Sequence, residues 1–128
     1  MTGCINMTKN PKWSFPELVL AMELYMIYRP NPPGKNSRDV SQLSMILRMN
    51  ALADGLKLTK TFRNKNGLAM KLQNFRRFDE NFKGYGLRAG GNLENEIWDK
   101  YQNLNKLKKT ADKIRNNIKI KIEGLKNE

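Results

Sequence analysis

A proline-rich segment near the start of the chain limits the fold more than any other feature. The segment Arg29–Asn36, RPNPPGKN, contains three prolines and one glycine. Proline lacks an amide donor and fixes its own backbone angle, so this segment can be the interior of neither a helix nor a strand. Apolar residues recur at helical spacing on both sides of it. The sequence therefore predicts two helices joined by a rigid loop.

Capping signals set the bounds of these two helices. Ser14 and Glu17 have the spacing of a capping box, and they predict a first helix that runs to about Tyr28. Its apolar residues cover broad faces, which indicates a central and well-buried helix. Residues 37–39 offer caps for a second helix that continues to about Ala53.

A short strand and a third helix are predicted next. The segment Leu56–Thr61 alternates apolar and polar residues, which is typical of a short strand or hairpin. The third helix is expected to start near Gly67 and to end near Asp79. Its predicted buried stripe consists of Leu68, Leu72, Phe75 and Phe78. The long stretch 81–91 that follows is rich in glycine and is predicted to be an irregular loop.

The last helix is predicted to start at Asn92, which is a good amino-terminal cap. Its expected buried anchors are Ile97, Trp98 and Tyr101. Apolar residues then continue at heptad positions from Leu104 to Leu125. This seam is expected to pack either on the domain or on a second copy, which would give a homodimer. Residues 105–128 hold eight Lys or Arg against three acids, so this helix has a basic outer face.

The charge of the chain points to a polyanionic partner. Lys and Arg number 24 against 12 Asp and Glu, which gives a net charge of +12. Such a field concentrates phosphates near the surface and speeds encounter with nucleic acid. A solvated lysine-rich surface without a ligand is the alternative, and the charge favours nucleic acid over it.

The residues that are missing exclude several kinds of site. The chain has no histidine and only one cysteine, Cys4, so it cannot build a His/Cys zinc site, a histidine-based triad or an internal disulfide. A carboxylate metal site at Asp79 and Glu80 is the remaining catalytic alternative, and a role at a helix end is favoured over it. We therefore expect no enzyme activity, no cofactor and no metal. No apolar stretch is long enough for a membrane span, so we expect a cytoplasmic protein.

The stretch Thr61–Phe78, TFRNKNGLAMKLQNFRRF, is the best candidate for a site. Arg can bond guanine, Asn can bond adenine and Lys neutralises phosphate, so this mixture suits DNA contact. The expected contacts here are Arg63, Asn64, Asn66, Lys71, Asn74 and Arg77. Further contacts are expected from the glycine-rich loop, at Lys83, Tyr85 and Arg88. The structural alternative is that Asn64 and Asn66 cap the helix while Arg63 pairs with an acid such as Asp79.

Four motifs in order along the chain carry a family resemblance. They are W-S-x-x-E-L-x-L-A-x-x-L-Y at 13–25, Q-L-S-x-x-L-R at 42–48, F-R-N-x-N-G-L-x-M-K-L-x-N-F at 62–75, and G-L-x-x-G with I-W at 86–98. This order resembles the amino-terminal domain that precedes the HNH nuclease domain in modification-dependent restriction endonucleases. The resemblance implies recognition of DNA that carries a methylated adenine or cytosine, while a separate domain cuts. Without histidine, this chain has no HNH site.

These observations lead to one expected fold and two candidate functions. We expect a mainly α protein, a compact bundle of about four helices with a short strand or hairpin before the third and a long carboxy-terminal helix. Residues 1–12 are expected to be a flexible tail, 13–104 a helical DNA-recognition domain and 105–128 a basic helix. The expected function is non-catalytic binding of double-stranded DNA with a methylated base. The alternative is a small phage- or mobile-element-encoded protein that binds and inhibits a nuclease complex.

Overall fold

Five helices and two short strands make up the part of the chain that the computed structural model describes, which is residues 5–6, 10–81 and 92–126. The helices are α1 (Phe15–Tyr28), α2 (Arg38–Ala53), α3 (Lys65–Arg76), α4 (Asn92–Lys100) and α5 (Leu104–Lys126). Strand β1 (Ile5–Asn6) pairs in parallel with strand β2 (Leu56–Lys57). The predicted mainly α fold with a long carboxy-terminal helix is confirmed. None of the helices in these ranges combines the length and apolarity needed to cross a bilayer.

Helix α1 is the centre of the bundle, as its broad apolar faces predict. It contacts each of the other four helices. Its buried side chains point in several directions: Leu18, Val19, Leu20, Ala21, Met22, Leu24 and Tyr25. At its start, Glu17 Oε1 accepts hydrogen bonds from the amide of Ser14 (2.9 Å) and from its hydroxyl (3.0 Å). The reach of Glu17 back to Ser14 confirms the predicted helix start.

Helix α3 packs its predicted stripe on α1, and α4 closes the core beside it. All four stripe residues, Leu68, Leu72, Phe75 and Phe78, are buried. The Trp98 ring of α4 lies among three other aromatic rings, with centroid distances of 5.8 Å to Tyr25, 6.3 Å to Phe75 and 6.1 Å to Phe78. Aromatic pairs at such distances add to the energy of apolar burial. Ile97, Trp98 and Tyr101 are all buried, so the predicted anchors are confirmed.

The predicted last helix is two helices. Helix α4 ends at Lys100 and α5 begins at Leu104. The break follows from Asn103, whose side-chain oxygen accepts hydrogen bonds from the amides of Asn105 (3.0 Å) and Lys106 (3.2 Å) and so starts a new helix. The seam of α5 packs on α1 and α2 within the same chain, where Leu107, Ala111 and Ile118 are buried.

The first twelve residues, expected to be a flexible tail, contact the domain where they are described. Strand β1 pairs with β2, and Asn10 exchanges side-chain hydrogen bonds with Thr59 (2.7 Å) and Thr61 (3.0 Å). A two-residue strand is too short for an alternating pattern, so the sequence carries no signal for it. The predicted strand over Leu56–Thr61 is likewise limited to Leu56–Lys57, and turns follow it.

Two ion pairs join α1 and α3 at opposite ends. Arg63, just before α3, pairs with Glu17 in the first turn of α1. Arg29, just after α1, pairs with Asp79, just after α3. The two helices therefore lie side by side and run in the same direction. The structural alternative that Arg63 pairs with an acid is confirmed, but the acid is Glu17. Asp79 cannot be its partner, because a 12-residue helix, about 18 Å long, separates them.

Asp79 is a buried carboxylate with four hydrogen-bond donors. Its Oδ1 accepts from Arg29 Nη2 (2.5 Å) and from the Asn81 amide (2.9 Å). Its Oδ2 accepts from the Tyr25 hydroxyl (2.6 Å) and from Arg29 Nε (3.0 Å). Burial acts to raise the pKa of Asp79, but the hydrogen bonds from Arg29 and Tyr25 outweigh it and the pKa is lowered. This closed set of partners gives Asp79 a structural role at the end of α3.

Asp79→Asn is expected to lower the free energy of unfolding by about 1–3 kcal/mol near neutral pH, because Arg29 and Tyr25 lose a charged acceptor. The ionised form is the stabilising one, since the folded pKa lies below the usual value of 3.8. The contribution is complete at a pH above that value and is lost as the pH falls through the lowered folded pKa. Urea unfolding at about pH 7 and about pH 3 measures it.

The matched control is Glu80→Gln, which removes a carboxylate charge from the exposed neighbouring residue. It is expected to change stability by less than about 0.5 kcal/mol. If Asp79→Asn lowers the free energy of unfolding by as much near pH 3 as near pH 7, the assigned charge interaction is contradicted.

Candidate nucleic-acid interface

The backbone that leads into α3 is fixed by α2. Arg48 Nη1 donates hydrogen bonds to the carbonyls of Thr59 (3.2 Å) and Phe62 (2.5 Å). The Ser44 hydroxyl donates to the carbonyl of Arg63 (2.7 Å). Arg63 itself has a φ of 45°, in the left-handed region that non-glycine residues rarely adopt. The hydrogen bonds from α2 therefore hold a strained turn that aims the start of α3.

The side chain of Arg63 is used inside the fold. Its Nε lies 2.7 Å from Glu17 Oε2 and its Nη2 lies 3.0 Å from Glu17 Oε1. The same guanidinium donates to the carbonyls of Pro11 (3.0 Å) and Lys12 (3.1 Å). Only 4% of the side chain is exposed. A DNA base could reach this group only after the ion pair had opened, so we omit Arg63 from the proposed contacts.

Asn64 is also used for structure. It is the amino-terminal cap of α3, and its side-chain oxygen accepts a hydrogen bond from the Gly67 amide (2.7 Å). A Cβ atom on Gly67 would lie 3.0 Å from that oxygen, so glycine leaves room for the cap. The capping alternative for Asn64 is thus the arrangement observed. Asn66, which shared that alternative, is exposed in the first turn of α3.

Lys71 joins α3 to α4. Its Nζ lies 2.7 Å from Glu94 Oε1, and only 13% of its side chain is exposed. The same Nζ lies 5.3 Å from the centroid of the Trp13 ring, which also lies 4.7 Å from the guanidinium carbon of Arg63. Trp13 is therefore packed against two cations and the core. Sequence reasoning missed Glu17 and Glu94 as partners, because they are far from Arg63 and Lys71 along the chain.

A stripe of exposed side chains remains on α3, opposite its buried stripe. We call it the outer face of α3, and it consists of Asn66, Met70, Gln73 and Arg77. The spacing of these residues places them on one side of a helix. Met70 is 62% exposed, and Asn74 lies half-buried beside this face. The expected contacts Asn66, Asn74 and Arg77 thus lie on or next to one surface, to which the structure adds Met70 and Gln73.

Lysines precede this face along the chain. Lys57, Lys60 and Lys65 are exposed. Within residues 10–81 and 92–126, none of the three forms an ion pair. The first turn of α3 carries no acid. Lys65 lies in the first turn of α3 and adds to the positive end of the helix dipole. With Lys57 and Lys60, it makes the segment that leads into α3 positively charged, which favours anions.

The remaining candidates, Lys83, Tyr85 and Arg88, lie outside the described residues. Among the residues that the structure does describe, no three His, Cys, Asp or Glu side chains come together in a group that could hold a metal ion.

Comparisons with protein-family models, with curated proteins and with solved structures found no match to this chain. Function is therefore inferred from the chemistry of the surface and from the motif of residues 62–75. Both concern the same helix.

Arg63→Gln is expected to lower the free energy of unfolding by about 3–5 kcal/mol, because it leaves the buried Glu17 carboxylate without its partner. Chemical denaturation measures the change. The matched control is Lys65→Gln, which removes one positive charge from an exposed side chain two residues away that forms no ion pair within the described residues. The control is expected to change stability by less than about 0.5 kcal/mol.

A double-mutant cycle with Glu17→Gln separates the pair from its surroundings. Because the two side chains form one ion pair, the double variant is expected to be more stable than the sum of the single losses implies, by about 1 kcal/mol or more. Additive losses would show that Arg63 and Glu17 act independently.

Proposed function

We propose that the chain is a non-catalytic domain that binds double-stranded DNA through the outer face of α3 and the lysines that precede it. One observation carries the proposal. Exposed amide, thioether and guanidinium groups line one side of a helix, and the exposed lysines that lead into that helix form no ion pair within residues 10–81 and 92–126. The net charge of +12 supports the same partner.

The two parts of this surface suit different parts of a duplex. Lys57, Lys60 and Lys65 offer mobile point charges that suit phosphates, which position a protein without reading sequence. Asn66 and Gln73 offer amides, which can bond the major-groove edge of adenine with two hydrogen bonds. An α-helix fits into the major groove. The proposed arrangement therefore places α3 in the groove with its lysine-rich start against the backbone.

The preference for a methylated base is supported by the resemblance of residues 62–75 and by Met70. The methyl groups of N6-methyladenine and 5-methylcytosine both project into the major groove, as the thymine methyl does. Met70 is the exposed apolar residue of the outer face, and a flexible thioether adapts well to a methyl contact. In this proposal Met70 contacts the added methyl group while the amides bond the base edges.

The second candidate function, binding to a nuclease, is favoured by an apolar surface elsewhere. Ile27 is 67% exposed and Leu104 is 57% exposed, and both border a shallow groove between α1 and α5. Exposed apolar side chains that lie together often mark a protein contact. This surface does not overlap the outer face of α3, so the two candidates predict different sensitive residues.

A duplex-binding panel tests the proposal. The duplexes are unmodified, N6-methyladenine and 5-methylcytosine DNA of one sequence, each measured at two salt concentrations. Affinity is expected to fall by about tenfold or more over a few-fold rise in salt, because lysine contacts release counterions. Gln73→Ala is expected to weaken binding by about 1–3 kcal/mol if it bonds a base.

Met70→Ala is expected to lower the ratio of methylated to unmethylated affinity by about fourfold, since one methyl contact is worth about 0.8 kcal/mol. The matched control is Met45→Ala, which removes a similarly exposed thioether from α2. An equal effect of both changes would contradict the placement of the methyl group. A protein that shows no salt-dependent affinity for any duplex but binds a nuclease would support the second candidate.

A further inference from the structure

A second group of lysines lies where α4 turns into α5. We call them the elbow lysines, and they are Lys100, Lys106, Lys109 and Lys113. All four are exposed. The Nζ atoms of Lys100 and Lys106 both lie close to the Tyr101 ring, at 5.5 Å and 5.6 Å from its centroid. The buried ring of Tyr101 thus holds two cations near each other at the elbow.

The elbow lysines on α5 lie on one side of the helix. Lys106, Lys109 and Lys113 follow each other at intervals of three and four residues, which places them along one stripe of about 10 Å. The stripe contains no acid. The nearest acid on α5, Asp112, is paired with Arg115, and no ion pair joins Asp99 to Lys100 in the described ranges. The stripe is therefore a positive surface without internal neutralisation.

Two cations of α5 form ion pairs with other parts of the bundle. Arg115 pairs with Glu23 of α1, and Lys121 pairs with Asp54 after α2 (2.9 Å). Together with the buried residues Leu107 and Ala111, these pairs fix α5 to the bundle. The elbow lysines make no ion pair within the described residues, so no carboxylate there neutralises their charges. A rigid helix therefore presents them to an external anion.

The elbow and the start of α3 are attached to the same turn of α1. Lys100 Nζ lies 5.7 Å from the ring centroid of Phe15, the first residue of α1. Two residues further on, Glu17 holds Arg63 at the start of α3. Because Phe15 and Glu17 point to different sides of α1, the elbow and the start of α3 lie at the same end of α1 but on different sides of it. An extended duplex could contact both by lying across that end.

We propose that the elbow lysines form a second phosphate-binding surface, which contacts the backbone of the same duplex that α3 reads. This surface is not needed for α3 to read a base, and it rests on the proposed function only for the identity of its ligand. Its role is to raise affinity for any duplex sequence, because phosphate contacts carry no sequence information.

The test compares two variants that lose the same charge. The first changes Lys100, Lys106, Lys109 and Lys113 to Gln. The second changes four exposed cations outside the elbow to Gln, namely Lys35, Arg38, Lys108 and Lys119. For each variant the logarithm of the affinity for an unmodified duplex is plotted against the logarithm of the salt concentration. The elbow variant is expected to reduce the magnitude of the slope by up to about 3.6, because each of the four phosphate contacts contributes about 0.9.

The charge-matched variant at Lys35, Arg38, Lys108 and Lys119 is expected to reduce the magnitude of the slope by less than about 1. A third variant with Arg at all four elbow positions is expected to keep the slope, since it keeps the charges. Equal losses in the two Gln variants would overturn the proposal in favour of an effect of net charge alone. An unchanged slope in the elbow variant would also overturn it.

The experiments distinguish failure of the elbow surface from failure of the proposed binding by α3. If Gln at Lys57, Lys60 and Lys65 leaves affinity unchanged while the elbow variant weakens it, the assignment to α3 fails and the elbow surface stands. If the elbow variant binds as well as the unchanged protein while the α3 variants weaken binding, the elbow fails and the proposed function stands. A protein with no affinity for any duplex would overturn both.

Discussion

The buried ion pair between Arg63 and Glu17 is the interaction on which the rest of the structure depends. Removing two charges from water costs several kcal/mol for each ion, and only a well-bonded geometry recovers that cost. Here the carboxylate also accepts both hydrogen bonds from Ser14 at the start of α1. The guanidinium of Arg63 is also bonded within the fold, because it donates hydrogen bonds to the carbonyls of Pro11 and Lys12. One pair thus fixes a helix start, a turn and the preceding chain.

The same pair determines what α3 can offer to a ligand. With Arg63 held at one end of α1 and Asp79 held by Arg29 at the other, α3 cannot rotate about its axis without breaking an ion pair. Its buried stripe is therefore fixed on α1 and its outer face is fixed toward the outside. Rigid presentation matters for recognition, because a surface that is already ordered loses less entropy when it binds.

The sequence predicts those features whose signals lie within a few residues of one another. The cap at Ser14 and Glu17 and the helical spacing of Leu68 and Phe75 are of this kind, and the structure confirms them. Contacts between distant parts of the chain leave no such local signal, so the sequence alone does not predict them. Lys71 and Glu94 lie 23 residues apart, and no periodicity connects them. The sequence therefore predicts DNA contacts at three residues that the structure uses inside the fold, namely Arg63, Asn64 and Lys71.

Arginine and lysine side chains have mostly different roles in this basic protein. Arg29, Arg63 and Arg115 form ion pairs inside the fold, and Arg48 bonds two backbone carbonyls. A planar guanidinium with several fixed donors suits such sites better than an ammonium. Lys71 and Lys121 also form ion pairs, but Lys57, Lys60, Lys65 and the elbow lysines form none within the described residues and remain hydrated point charges. They suit phosphate contacts, which carry no sequence information. Under the proposed function, specificity therefore comes from the amide, apolar and guanidinium groups on the outer face of α3, while the lysines set affinity and its dependence on salt.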